Sequence, residues 1–341
     1  MSNLRKSLII TLSTVFAVIL CMTLIFSIRP TYASSVEILD TDGTSIYLSG
    51  EGVSYNKTTK KYSVENGSDV TVYIFNEQRI FSSVKVGSDT YNTSTFTLTN
   101  VTNDLKFDVY STSPNPDGSD KGRYFSNPFV IHEDSQLKAL EFILSGRTDA
   151  NELDYYEQFN ELGEVTNSNK ETARKKLQFG YFVLSENILL DTNEFYGIGS
   201  VQYPFAGVFD FRGYHVTLNI LNEYKNDYYE LDAQSHTSIY SGLFGYVKGL
   251  DNKSSMIKDV DVNGKIAFSG TIGNHGFYHY VGGIAGHVEP TTLLAGANSE
   301  VSIAIENDTP LFIGGLFGSL KSPLNDQFNF TYKCNYGVLQ A

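Results

Sequence analysis

Cysteine is scarce in this chain of 341 residues: there are two, Cys21 and Cys334. Cys21 lies in an N-terminal apolar run, so a processed chain keeping Cys334 alone cannot form an internal disulfide. Disulfide-stapled extracellular domains are thereby excluded, and stability must come from core burial. Basic residues are also few, 25 Lys and Arg against 38 Asp and Glu, for a net charge of −13. Such a surface repels nucleic acid and other polyanions, so no nucleic-acid partner is expected. Catalytic signatures are missing as well. His132-Glu133 opens a zinc-peptidase phrase, but Gln136 stands where the second histidine is required. His275 and His279 would share a metal only on a helix, which the surrounding glycines argue against; on a strand, four residues span roughly 13 Å, too far for one ion. These two and His287 read instead as outward histidines on a strand edge. The expectation is no catalytic residue, no cofactor and no metal.

What the chain does contain is one short phrase written three times: SGLFGYV at 241–247, GGIAGHV at 282–288 and GGLFGSL at 314–320. In a strand, alternate side chains point to opposite sides. Leu243, Gly245 and Val247 then share a face, matched by Ile284, Gly286 and Val288 and by Leu316, Gly318 and Leu320. That face is apolar, glycine, apolar in every copy. The other carries Phe244 and Tyr246, Ala285 and His287, Phe317 and Ser319, with no consistent chemistry. The first face is therefore expected to line a shared interior. Each phrase is followed by a second alternating run: Val260, Val262, Ile266 and Phe268 against Asp259, Asp261, Asn263 and Lys265, then Val301, Ile303 and Ile305 against Ser302 and Ala304. Gly242 and Gly283 are 41 residues apart and Gly283 and Gly315 are 32 apart, inside the roughly 20–50-residue period of stacked repeats. Loops inserted at corners account for the difference.

Together with PFAGVFDFRGYHVTLNI at 204–220 and IKDVDVNGKI at 257–266, these phrases resemble the GLUG-type repeats of bacterial secreted and cell-surface proteins, which also accompany some immunoglobulin A-cleaving peptidases. The resemblance covers residues 179–341 and implies a right-handed parallel β-helix; alternation alone equally allows another β-solenoid. At Phe211-Arg212 the family tends to have Gly-Asn before the glycine matching Gly213, a departure that bears on the tight turn there. No catalytic residue is carried across, since such repeats are scaffold and the peptidases that bear them keep their chemistry in another domain.

In chain order, residues 1–33 read as an export signal: Arg5 and Lys6, an apolar run over 8–26, and a cleavage site after Ala33. Loss of this segment takes three cationic residues with it and leaves a net charge of −16. The apolar run is long enough to span a bilayer, so a retained signal anchor is the alternative and the only membrane contact expected. Residues 34–113 carry short β-rich runs punctuated by Asp42-Gly43, Asn66-Gly67 and Gly87-Ser88, the pattern of a small antiparallel sandwich or barrel. Phe96, Leu98 and Val101, with Leu105, Phe107 and Val109 after a turn, suggest a closing hairpin. This region weakly resembles the small β-modules beside such repeats in Gram-positive surface proteins. Residues 114–125 read as a linker in which Asn115, Asp117 and Asp120 lack the EF-hand order and form a solvated turn. Residues 126–178 read as a helical cap: Asp134 or Ser135 caps a helix ended by Gly146, Ser168 and Glu171 form a capping box for a second, and the loop between is solvated. Residues 179–341 hold the repeats. Gly318 to Gly337 repeats the 19-residue spacing of Gly245 to Gly264, so the chain is expected to stop within or just after a third unit, with further chain or a partner covering that end.

One excursion stands out for binding. Tyr224, Asp227, Tyr228, Tyr229 and Glu230 form a candidate ligand-binding loop, because aromatics supply contact area and carboxylates accept hydrogen bonds from hydroxyls. Tyrosine is common here, 23 in the chain, which makes the cluster only mildly unusual. The expected function is that of an exported, non-enzymatic bacterial surface or secreted protein whose β-helix serves adhesion or spacing, with a glycan or a host or cell-surface protein as partner. The alternatives are a carbohydrate-active β-helix enzyme, lyase or hydrolase, and a non-catalytic part of a larger secreted peptidase.

Overall fold

The computed structural model describes residues 32–38, 44–76, 79–113, 121–147, 149–224, 230–231, 237–251, 253–270, 277–306, 311–321, 327–333 and 335–339. The segment read as an export signal lies outside them up to residue 31, and Ala33 falls within the first strand. Nine strands make the first domain: β1 (Tyr32–Ile38), β2 (Thr44–Ser49), β3 (Val53–Asn56), β4 (Lys61–Glu65), β5 (Ser68–Asn76), β6 (Ile80–Val86), β7 (Asp89–Tyr91), β8 (Thr95–Val101) and β9 (Leu105–Thr112). Strands β2-β5-β8 form one antiparallel sheet; β3-β4-β1-β9-β6-β7 form the other, antiparallel except where β1 meets β9. Alternation sends Val70, Val72 and Ile74 from the first sheet and Val84, Phe107 and Val109 from the second into one core. The expected closing hairpin does not form. β8 pairs with β5, and β9 pairs with β6 and β1, so the chain changes sheets between Val101 and Leu105. Each strand has an apolar row that needs an opposing face, and separate sheets provide one for both.

The strand pairs in the rest of the chain are parallel except for one short antiparallel pair, Glu230–Leu231 against Thr237–Ser238. Its elements are β10 (Phe129–Ile131), α1 (Asp134–Ser145), α2 (Glu152–Glu157), α3 (Lys170–Gln178), β11 (Tyr181–Leu184), β12 (Ile188–Thr192), β13 (Val208–Asp210), β14 (Val216–Glu223), β15 (Glu230–Leu231), β16 (Thr237–Ser241), β17 (Phe244–Val247), β18 (Ser255–Ser269), β19 (Phe277–Gly282), β20 (Ala285–Val288), β21 (Thr292–Glu306), β22 (Leu311–Gly314), β23 (Phe317–Leu320), β24 (Phe330–Tyr332) and β25 (Asn335–Leu339). Successive passes of the chain lay these strands side by side in four ladders. Phe129, Phe182, Phe209, Ile257 and Leu294 occupy one register position of the first, and all are buried. Ile188, Val216 and Val262 share a position of the second, as do Ile220, Ile266 and Ile303. The third is β16-β19-β22 and the fourth β17-β20-β23. The long strands β18 and β21 serve both the first and second ladders, bending where Asp259 (φ 49°) and Gly296 (φ 90°) adopt left-handed backbone. One apolar core runs inside all four.

Helices interrupt this stack instead of preceding it. β10 already pairs in parallel with β11, so the parallel region begins at Phe129 and not at 179. Leu137, Leu140, Ile143 and Leu144 of α1 join the core. The cap of α1 is Glu133, not Asp134 or Ser135, and Gly146 ends the helix in left-handed backbone (φ 79°). Gln136, the residue that breaks the zinc-peptidase phrase, accepts from the backbone N–H of His132 at 2.8 Å and of Glu133 at 3.3 Å. The loop read as solvated is instead helical at α2, with Tyr156 buried and Tyr155 stacked on Phe142 (3.9 Å, 12°). Ser168 and Glu171 form no capping box: Asn169 holds the cap position of α3, and Glu171 pairs with Arg174.

The turn at 211–214 forms despite its unusual sequence. Arg212 (φ 50°) and Gly213 (φ 82°) are both left-handed and Tyr214 N–H donates to Phe211 O at 2.9 Å, which is a type I′ turn. Asn-Gly is the preferred pair for that turn; here the Arg212 guanidinium lies 5.1 Å from the Phe125 ring. At the C-terminal end, Gly337 pairs with Ala304, whereas Gly264 pairs with Val301. The expected equivalence of Gly337 with Gly264 is therefore displaced by three positions.

The two domains pack together. Val208, Met256 and Leu293 form an outward apolar row on the first ladder, and Tyr73 and Phe75 of β5 cover it. Tyr73 donates its hydroxyl to Pro290 O at 2.9 Å, and Ser254 N–H donates to Ser94 Oγ at 2.9 Å.

Candidate ligand-binding face

In-register parallel pairing places equivalent side chains of neighbouring strands about 4.8 Å apart. On the third ladder that position is held by Tyr240, Tyr280 and Phe312. Their rings stack outside the coil: 5.1 Å and 14° between Tyr240 and Tyr280, 4.6 Å and 9° between Tyr280 and Phe312. Phe312 remains 43% exposed. Tyr278 flanks the column, 5.9 Å from Phe312. Around the corner, Tyr246 and His287 share a register position of the fourth ladder and also stack (4.7 Å, 27°), with Tyr240 edge-on to Tyr246 at 5.2 Å. Each such pair contributes about 0.5–1.5 kcal/mol beyond area burial.

A carboxylate anchors the corner. Glu289 accepts from the Tyr246 hydroxyl at 2.6 Å and from His287 Nε2 at 3.2 Å, and Lys321 Nζ lies 3.4 Å away. Burial pushes its carboxyl up, but the Tyr246 and His287 hydrogen bonds outweigh that and hold it below the usual range. Burial lowers His287 despite the opposing pull of Glu289, so its imidazole is neutral and its Nε2 hydrogen goes to the carboxylate.

His279 points the other way, contrary to the expectation of an outward histidine. It occupies the register position of Ile239 and Leu311 and is 0% exposed. Its Nδ1 lies 2.8 Å from the Tyr224 hydroxyl, its Nε2 lies 3.0 Å from Ser241 Oγ, and its ring sits edge-on to Phe268 at 4.6 Å. Burial alone drives its pKa down to about 3. His287 is also buried, while His275 lies outside the described residues. Among the described residues no group of three or more His, Cys, Asp or Glu is placed to hold a metal.

Of the candidate loop, Tyr224 is tied down by His279 and packs on Phe268 at 5.2 Å. Asp227, Tyr228 and Tyr229 lie outside the described residues, as does the side chain of Glu230. The backbone of Glu230 returns as β15 along the edge of β16, Glu230 opposite Ser238. The excursion thus leaves from β14 of the second ladder and returns to the sheet that bears the aromatic column. Asp259 is exposed at the bend, and Asp261 accepts from Asn298 Nδ2 at 2.8 Å within an outward polar ladder.

The repeat phrases take a different interior from the alternating one expected. Leu243, Ile284, Val247 and Val288 are fully buried, but so are Phe244 and Ala285. Leu316 packs against the core while Leu320 is 36% exposed. A bend at Gly242–Leu243, just before β17, lets two consecutive residues face inward. Gly286 and Gly318 serve a close approach: a Cβ on Gly286 would lie 2.5 Å from Ser241 N, and one on Gly318 2.5 Å from Val281 N. Gly245 sits likewise against the backbone of Gly197 and Gly199.

Sequence reasoning missed the aromatic column. The signal was an aromatic two residues before the first glycine of each phrase: Tyr240 before Gly242, Tyr280 before Gly282, Phe312 before Gly314. No family model, no curated protein and no solved structure matches the chain.

Proposed function

We propose that this chain is an exported bacterial surface or secreted protein without catalytic activity, whose GLUG-type units wind as a right-handed parallel β-helix and present an outward aromatic column for adhesion. The partner is a glycan or a protein of the host or cell surface. One observation supports the reading above the others: Tyr240, Tyr280 and Phe312 keep aromatic chemistry at one outward register position through three passes. Rigid aromatic rings give contact area at low entropic cost, and the nearby Glu289 supplies an acceptor.

The full processed chain is to be screened on broad glycan and host-protein arrays beside the Tyr280→Ala/Phe312→Ala variant. The reading expects reproducible binding that the variant loses by at least about tenfold. Silence across the arrays, binding indifferent to the two substitutions, or turnover of a bound glycan would each overturn it.

A further inference from the structure

The junction of the two domains encloses a cleft of about 370 Å³, within the size range of small-molecule sites. Its walls come from β5 and β6 on one side and from α3, β11 and the turn before β18 on the other. The charge of the lining opposes that of the molecule. Arg79, Lys121, Arg123, Lys175, Lys176 and Lys253 line it with Asp251 as the one carboxylate among the described lining residues, whereas acids outnumber bases 38 to 25 in the chain. A surface assembled at random from this composition would carry more acids than bases.

Ion pairing of the lysines in this cluster is loose. Lys121 reaches Glu161 only at 3.9 Å and Lys175 reaches Glu171 at 4.0 Å, both at the outer limit of ion pairing. Lys253 lies 5.3 Å from the Phe179 ring centre, an aromatic contact that leaves its charge in place. Desolvation first, and the charge of Arg123 second, hold the Lys253 ammonium below the usual lysine range, while Asp251 opposes them. Crowded like charges beside aromatic walls favour a ligand that brings anionic groups on a body with apolar edges. A pyranose ring offers such edges to Phe179 and Phe75, both of which line the cleft.

We propose that this cleft binds a saccharide carrying sulfate or phosphate groups. Salt bridges from the lysine and arginine heads hold the anionic groups, and the ring packs on the aromatic wall. The walls are fixed relative to each other by Ser94 with Ser254 and by Tyr73 with Pro290, so the site is preformed. It shares no residue with the aromatic column, and either assignment can fail while the other stands.

The test is calorimetric titration of the full processed chain with four probes: a heparin-derived sulfated disaccharide, a sugar bisphosphate, the unsulfated disaccharide and inorganic sulfate. The expected result is a dissociation constant below about 1 mM for one or both anionic sugars. Affinity should fall as salt rises from about 50 to about 200 mM, and the neutral disaccharide and inorganic sulfate should bind at least about tenfold more weakly. Lys176→Gln and Lys253→Gln should each weaken binding severalfold, and Lys253→Arg should retain it, with circular dichroism verifying the fold. The proposal is overturned by no binding of either anionic sugar, by inorganic sulfate binding as well as both, or by affinity unchanged in a folded Lys176→Gln/Lys253→Gln chain.

Discussion

Tyr280 sits between two rings on the outside of the protein, parallel to Tyr240 on one side and to Phe312 on the other. It therefore has a stacked neighbour on each face. Phe312, the exposed end of the column, stacks on Tyr280 and touches Tyr278.

This asymmetry separates stability from recognition. Tyr280→Ala should cost about 1–3 kcal/mol, since two stacking contacts of about 0.5–1.5 kcal/mol each disappear. Phe312→Ala should cost less than Tyr280→Ala in urea unfolding while weakening partner binding as much or more. Equal stability losses for the two would contradict the stacking account.

Gly286 tests the close approach of successive passes. An alanine there places Cβ 2.5 Å from the backbone of Ser241, which has no side-chain freedom with which to yield. Gly286→Ala should destabilise by more than about 2 kcal/mol, in the range of overpacked core sites. A methyl group on Gly270 (φ 88°) would meet nothing within 4 Å, so Gly270→Ala should cost only its backbone strain, about 1 kcal/mol. Chemical denaturation of both variants gives the comparison.

Two buried titratable groups set the pH profile in opposite senses. Burial holds His279 down at about 3, below its ordinary 6.5, so its stabilising contribution is complete above pH 6.5 and is lost as pH falls towards 3. Burial raises Glu141 from 4.5 to about 7 against the pull of Arg147. Its contribution is complete below pH 4.5 and declines as pH rises through 7. His279→Asn should flatten the acid limb of a plot of unfolding free energy against pH, and Glu141→Gln should flatten the fall between pH 4.5 and 7. A variant profile parallel to the parent's would remove the assignment for that residue.

Arg212 occupies a left-handed position at a cost of about 1–2 kcal/mol, offset by its Phe125 contact of about 0.5–1 kcal/mol. Arg212→Asn should therefore change stability little alone. In a Phe125→Ala background, where the offset is gone, it should stabilise by about 1 kcal/mol. A double-mutant cycle from thermal unfolding measures the coupling, and additivity of the two changes would refute it.

Strand periodicity was legible wherever a strand ran straight. Val216, Leu218 and Ile220, and Val301, Ile303 and Ile305, are buried with their alternating partners turned outward. Where the chain bends the rule fails, because two consecutive side chains then share a side, as Leu243 and Phe244 do. The aromatic column escaped for a related reason. Aligning the phrases themselves sets Tyr240 against Val281, but the second unit has one more residue at its bend, so Tyr240 meets Tyr280. A one-residue slip exchanges the two faces of a strand. The basic cleft was illegible because its cations come from 79, 121–123, 175–176 and 253 and meet only when the domains dock. His279 was misplaced because polarity suggests exposure, and only its Tyr224 and Ser241 partners make burial tolerable.

Unit length varies while the ladders stay aligned. Val247 and Val288 pair across 41 residues, Phe268 and Ile305 across 37, and Tyr280 and Phe312 across 32. Apart from the single residue at the bend, the extra length in these pairs enters in the connection before β18, between the fourth and first ladders, and in the one before β19, between the second and third. The connection before β18 is held by the docking of Ser254 on Ser94. The connection before β19 can change in length while the ladders keep their register, giving selection one variable edge on a frame that need not be redesigned.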